Sequence, residues 1–417
     1  MPTLNHCRDD FPILKRSVHN GAPLAFLDNA ASTQRPRSVI QSMSECYENY
    51  YANVHRGIHT LSEESTERYE GSRKSVAKFI NAKHDHEVIY TAGATAAINT
   101  VARSWGAQNL SSTDTVLLTI AEHHANIVPW QQLAAEIGFK IEFLPLDDFQ
   151  IETEVVQEAL ASFQPKLFAF TAASNVLGTS VPVAQWTALA HQQGSTVLVD
   201  AAQAAPHQPL DVQAWDADFV VFSGHKVCGP TGIGVLHGKE RLLEEMPPFL
   251  GGGGMINRVT TEGFKAAALP DKFEAGTPPI AEAIGLQAAV EYLNEIGLTA
   301  IEEHEKKLAK QAEHGLRQIE GVRVIGPQSG EKTGIVSFVL SHAHAHDVAH
   351  SLSERGIAVR AGHHCTMPLH HALGLTATTR ASFYLYNTTE EAETLVQSVA
   401  DIQRKFAPTG RRRRRRR

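Results

Sequence analysis

Cysteine is scarce in this 417-residue chain, which has Cys7, Cys46, Cys228 and Cys365 and no pair of them in CxxC spacing. That spacing suggests neither a zinc ribbon nor a disulfide framework, and leaves room for a free, reactive thiol. Long apolar runs are missing too. No stretch approaches 18 uninterrupted apolar residues, so no membrane span is expected. The first residues, MPTLNHCRDDFPIL, lack the cationic segment, apolar run and small-residue site of a secretory signal, which makes a cytoplasmic location the default expectation. With 42% hydrophobic, 20% charged and 7% aromatic residues, the composition fits a soluble globular enzyme rather than a disordered or fibrous chain.

Positive charge is short everywhere except at one end. Of the 38 Lys and Arg residues, seven are Arg411 to Arg417; the other 31 face 45 Asp and Glu, a balance of −14 against −7 for the whole chain. Such a body does not attract nucleic acid. The arginine run, 409–417 with its leading residues, has no apolar content to pack and reads as a disordered tail.

From about residue 88 to 236, short runs rich in Val, Ile, Leu and Phe alternate with helix-like segments, the pattern of a parallel sheet buried on both faces. The predicted strands are EVIYT (87–91), TVLLTI (115–120), KLFAFT (166–171), TVLVD (196–200), DFVVFS (218–223) and IGVLH (233–237). WQQLAAEIG (130–138) and VAQWTALAHQQG (183–194) have the apolar spacing and closing glycine of crossover helices. A long helical stretch from Ala281 to Ile319, broken near Gly297, leads to a smaller α+β region. Its predicted pieces are GIVSFVL (334–340), DVAHSLSERG (347–356), IAVRA (357–361), ASFYLYN (381–387) and a helix from Glu390 to Phe406.

Ligands of open α/β sheets collect at the carboxyl ends of the strands. Five predicted strands end in polar or reactive residues: Gly93–Thr95, His123, Asn175, Asp200 with Gln203, and Ser223-Gly224-His225-Lys226. Pyridoxal phosphate requires a lysine for covalent attachment, a carboxylate facing its pyridinium nitrogen and donors for its phosphate, commonly at a helix N-terminus. Lys226, Asp200 and the helix start at Gly93–Thr95, with Ser223 and His225, supply that set.

The chain is similar to the class-V aminotransferase family, and within it to the SufS-type (group II) cysteine desulfurases. The likeness runs from Phe11 to Phe406 through DNAAST (28–33), NVHRGIHTLS (53–62), AEHHANIVPW (121–130), VDAAQA (199–204), FSGHKVCGPTGIG (222–234), FEAGTP (273–278) and VRAGHHC (359–365). It implies an α/β, fold-type-I homodimer with a mostly parallel central sheet. The implied layout is an N-terminal segment (1–21) packing with the small domain, a large cofactor domain (22–290) and a small C-terminal domain (291–408). Carried over by residue, Lys226 is the implied Schiff-base lysine and proton shuttle, Asp200 the partner of the ring nitrogen, His123 the stacking residue and Gln203 the donor to the phenolic oxygen. Thr95, Ser223 and His225 are the implied phosphate ligands, with Thr277 reaching in from the other subunit. Asn175 and Arg380 are the implied clamp on the substrate carboxylate, a task suited to a guanidinium fork, and Arg360 joins the substrate site.

Cys365 is the implied catalytic cysteine, and Arg360, His363 and His364 beside it favour the nucleophilic thiolate. The resemblance therefore implies conversion of L-cysteine to alanine with sulfur left as a persulfide on Cys365, destined for a sulfur-acceptor protein and iron–sulfur cluster assembly. L-selenocysteine is an alternative substrate; a transaminase and a polyanion-binding protein using the arginine tail are more distant alternatives. Cys228 receives no role. Two departures stand out: Gly93-Ala94-Thr95-Ala96 where relatives read GTTE, and Ala172 where a histidine is common. HAHAHDVAH (342–350) puts His346 and His350 at helical i, i+4 spacing, but no carboxylate or cysteine completes a metal set, so none is expected.

Overall fold

The structure, a computed structural model, describes residues 4–19, 21–328 and 332–407. The arginine tail lies outside the described residues.

The central sheet has seven strands in the order Val88–Thr91, Gly234–Gly238, Phe219–Ser223, Thr196–Asp200, Leu167–Thr171, Thr115–Thr119 and Lys140–Leu144. Alternate residues of each strand face opposite sides, and both sides are apolar. In Leu167–Thr171, Phe168 and Phe170 enter one core, where Phe170 meets the Trp186 ring at 5.3 Å, while Leu167 and Ala169 enter the other with Trp130 and Val101. Two-faced burial is why the runs read as continuous rather than alternating.

One strand runs against the parallel expectation. Gly234–Gly238 is antiparallel to both its neighbours, so its start, not its end, lies beside the carboxyl ends of the others. Gly234 must be glycine there: a Cβ would come within 2.4 Å of Gly93 Cα. The crossover helices Val128–Ile137 and Val183–Gln192 form as expected. The first closes on Gly138 at φ +94°, the left-handed cap glycine favours. The edge strand Lys140–Leu144 and the helix Thr153–Phe163 have no counterpart in the sequence reading.

The second region has a four-stranded antiparallel sheet, Val322–Ile325, Ile335–Leu340, Thr378–Ser382 and Arg360–Gly362 in that order. The expected strand at 381–387 is corrected to Thr378–Ser382; Phe383 to Asn387 are buried but fall beyond the ladder. Val322–Ile325 and the helix Met367–Ala372 are additional. The closing helix Thr389–Phe406 starts with a capping box between Thr388 and Glu391.

The helix Leu298–Arg317 joins the two regions: Leu298 and Ile301 sit in the core of the first, Leu308, Ala312 and Leu316 in that of the second. The chain's beginning also bridges them. Phe11 packs 5.9 Å from the Tyr292 ring and 4.5 Å from that of Tyr386, Arg8 pairs with Glu391 at 2.9 Å, and Ala25–Phe26 pairs in parallel with Ile357–Ala358. No helix of the described residues is long and apolar enough to cross a membrane.

Candidate active site

A cavity of about 180 Å³ opens where the two regions meet, at the carboxyl ends of the parallel strands. Eleven of the twelve residues singled out in the sequence line it: Thr95, His123, Asn175, Asp200, Gln203, Ser223, His225, Lys226, Arg360, Cys365 and Arg380. Thr277 does not. It lines a separate, open depression with His55, Arg56, Gly253, Gly254 and Asn257.

The floor comes from strand ends. Asp200 is the last residue of its strand and buried, with Oδ1 accepting the Ala202 N–H at 2.9 Å. Burial raises its pKa, against the pull of that bond and of the Lys226 charge. Lys226 stands in a short turn after Phe219–Ser223. Desolvation lowers its pKa to about 8; Asp200 opposes this, and Arg380 and Arg360 add to it. An amine and a carboxylate that shift each other across one cavity are characteristic of reactive sites.

His123 follows Thr115–Thr119, and its Nδ1 accepts the Ala125 N–H at 3.1 Å, which places the ring proton on Nε2. Burial, then the Lys226 charge, bring its pKa down to about 3, so the ring is neutral. Glu122 anchors this corner. Its buried carboxyl accepts from Thr119 Oγ1 at 2.5 Å, Thr171 N at 3.0 Å and Asn126 Nδ2 at 2.7 Å, and Asn126 accepts from the buried Trp130 indole.

On the opposite wall the helix Ala94–Val101 starts at Gly93, whose φ of +146° favours glycine, and the Ala94 N–H donates to Ser223 Oγ at 2.9 Å. Thr95 is exposed beside it. Ala172, the second departure from the family pattern, is fully buried in the apolar core and does not line the cavity.

The second region supplies the roof. Arg380, 1% exposed, donates from Nη1 to the Asn175 carbonyl at 2.8 Å and from Nη2 to Asp28 Oδ1 at 3.2 Å, while its Nε has no acceptor. Asn175 Nδ2 donates to the His364 carbonyl at 2.7 Å. Asn175, one of the two implied clamp residues, therefore also grips the cysteine loop. Gln203 spends one N–H on the Ala30 carbonyl at 2.7 Å and leaves its buried Oε1 unpartnered. Cys365 is half-buried at the cavity wall, whereas Cys7, Cys46 and Cys228 are buried in cores. Sequence reasoning missed Asp28 and Glu122, and it gave His364 a charge that favours the Cys365 thiolate, whereas burial lowers the His364 pKa and keeps its ring neutral. Asp28 and Glu122 lie inside quoted motifs, but their partners are far away in sequence.

Residues 25–395 match the class-V aminotransferase family. The chain belongs to that family. It is 49% identical over 405 residues to a probable cysteine desulfurase of Streptomyces coelicolor, covering 96% of this chain and 97% of that one. It is 48% identical over 404 residues to a cysteine desulfurase of Escherichia coli strain SE11, covering 96% and 98%. Among solved structures, the apo cysteine desulfurase of Thermococcus onnurineus NA1 superposes with a TM-score of 0.92 at 39% identity, covering 97% of this chain and 99% of that one. The Escherichia coli cysteine desulfurase CsdA, solved with an S-sulfonic acid, gives 0.89 at 37%, covering 97% and 100%.

Class-V aminotransferases use pyridoxal phosphate, and the cavity fits that group on its own terms. A buried carboxylate and a depressed lysine face one space, a helix N-terminus with adjacent hydroxyls borders it, and Gln203 has a second amide N–H beyond the one it gives the Ala30 carbonyl.

Proposed function

We propose that the protein is a pyridoxal-phosphate-dependent cysteine desulfurase that converts L-cysteine to L-alanine and retains the sulfur as a persulfide on Cys365. The observation that carries this reading is the placement of Cys365 on the cavity that holds Lys226 and Asp200, opposite in chain and in fold to both.

In this reading Lys226 would hold the cofactor, Asp200 would keep a proton on its ring nitrogen, His123 would lie against the ring and Gln203 would donate to its phenolic oxygen. Thr95, Ser223, His225 and the helix start at Ala94 hold its phosphate. The bound cofactor supplies an electron sink for charge developing at the substrate Cα. Arg380, with Asn175 and Arg360, receives the substrate carboxylate, to which Arg380 can turn its unpartnered Nε. Lys226 Nζ, whose pKa burial lowers to about 8, takes the Cα proton. The Cys365 thiolate attacks the substrate sulfur. A sulfur–sulfur bond forms while the substrate sulfur keeps its hydrogen, the carbon–sulfur bond breaks with its electron pair staying on Cβ, Cβ takes up a proton equivalent to the one Cys365 lost on ionising, and Lys226 returns its proton to Cα to give alanine.

The sulfur then passes to an acceptor thiol on another protein, iron–sulfur cluster assembly being the use that the group II resemblance implies. A homodimer fits the exposure of Ile58, Val259 and Phe264 and the position of Thr277 in a depression of its own, from which it would reach the partner copy's phosphate site.

Mass spectrometry after adding cysteine to the cofactor-loaded protein tests the reading. A one-sulfur mass increase on Cys365, absent from Cys365→Ala, is the expected result; alanine formed at an undiminished rate by Cys365→Ala would refute it.

A further inference from the structure

His124 holds the Cys365 loop at two points. Its backbone N–H donates to the Cys365 carbonyl at 2.8 Å, and its ring Nε2 accepts the Met367 N–H at 2.9 Å, so one residue ties down the chain at Cys365 and just after it. The loop it holds is strained: His364 and Cys365 have φ of +51° and +60°, a left-handed pair with no glycine in it. Two further contacts, Asn175 Nδ2 to the His364 carbonyl at 2.7 Å and His364 Nε2 with Thr378 Oγ1 at 2.9 Å, fix the residue before Cys365. On the side after it, Thr366 closes the turn onto the His363 carbonyl, and the His124 ring ties the start of the Met367–Ala372 helix to the first region.

The contact needs a ring nitrogen that accepts, hence a neutral imidazole with its proton on Nδ1. Burial, and then nearby His363, lower the His124 pKa from its ordinary value, which favours the neutral ring. His124 neighbours His123 in sequence and stands in the first region, but it does not line the cavity: His123 does, and His124 reaches across to the roof.

We infer that His124 is a positioning residue that holds the strained Cys365 loop in the conformation from which the thiolate reaches the substrate sulfur. The inference rests on the reading of Cys365 as the sulfur-accepting group. Because the backbone N–H of residue 124 persists in any side-chain replacement short of proline, substitution isolates the Met367 contact.

The test compares wild type, His124→Ala and His124→Gln as cofactor-loaded enzymes. Glutamine is the informative variant, since its Oε1 reaches about as far as the histidine Nε2 and can accept the same N–H. Four quantities are read: the cofactor absorbance band, kcat and KM for cysteine, and the rate at which iodoacetamide alkylates Cys365. His124→Ala is expected to keep the band and KM, to lose about tenfold in kcat, and to be alkylated several-fold faster as the loop loosens. His124→Gln should return both rates to within about threefold of wild type.

Unchanged kcat and alkylation in His124→Ala overturn the inference, as does equal impairment in the alanine and glutamine variants, which would mean that an acceptor at this point is irrelevant. Loss of the cofactor band in His124→Ala overturns it as well, by assigning the residue to folding or cofactor retention. Wild type distinguishes the two levels: no sulfur adduct on Cys365 sinks the reading of the cysteine and the inference with it, whereas an adduct with normal rates in His124→Ala sinks the role of His124 alone.

Discussion

The floor and the roof of the cavity are built in opposite ways. Asp200 and Lys226 stand at or just beyond strands buried at every residue but Thr196, so their positions follow from the sheet itself. Cys365 stands on a loop in left-handed conformation, held by side chains from three other segments, His124, Asn175 and Thr378. Proton transfer needs fixed geometry and sealed surroundings. A sulfur carrier must in addition give its cargo away, and a half-buried thiol on a tethered loop serves both ends.

Removing the floor's base should have the largest effect. Lys226→Ala is expected to abolish the covalent cofactor band and to lower alanine formation by at least about a thousandfold, while the protein stays folded by circular dichroism. If turnover survived at more than a few per cent, the floor would not hold the chemistry. The roof's clamp comes next. Arg380→Lys keeps the charge but loses the fork, and should raise KM for cysteine about ten- to a hundredfold with the cofactor band intact. An unchanged KM would place the substrate carboxylate elsewhere.

A smaller effect comes from pH. The Lys226 pKa is lowered to about 8 from its ordinary value, so the neutral, nucleophilic amine becomes the main form above about pH 8. Cofactor uptake by the apoprotein, followed by absorbance, should therefore speed up as pH rises through about 8 and level off above it; a rate that falls over that range contradicts the shift. The smallest effect is reserved for the other cysteine near the site. Cys228 is fully buried, and desolvation pushes its thiol up to about 12, which makes it inert. Cys228→Ala should leave turnover within about twofold and cost about 1 kcal/mol of stability by denaturant titration.

The floor was legible in the sequence because buried strands announce themselves as apolar runs, and the residues after them had only to be read off. The roof was not. Thr378–Ser382, which carries Arg380, is a fully buried strand of Thr, Arg, Ala and Ser, and its hydrogen-bonded ladder leaves no apolar signature. The aromatics of Phe383–Tyr386 drew the expected strand downstream because such residues mark burial as much as sheet. Lys140–Leu144 was missed for the converse reason: an edge strand half open to solvent can carry Lys140 and Glu142 and breaks the run. Pairings such as Asp28 with Arg380 or His124 with Met367 join residues hundreds of positions apart and have no local trace.

The Leu298–Arg317 helix acts as a beam set into masonry at both ends. Its first turns are embedded among Val290 and Leu293, its last among Phe338 and Leu395, with no loop between the two seats. A flexible linker would let the roof swing away from the floor at little cost; a continuous helix transmits any such motion as bending of its whole hydrogen-bonded length. The rod thus shares with the Ala25–Phe26 pairing and the hydrogen bonds of Arg380 and His124 the task of fixing the gap between the thiol and the amine.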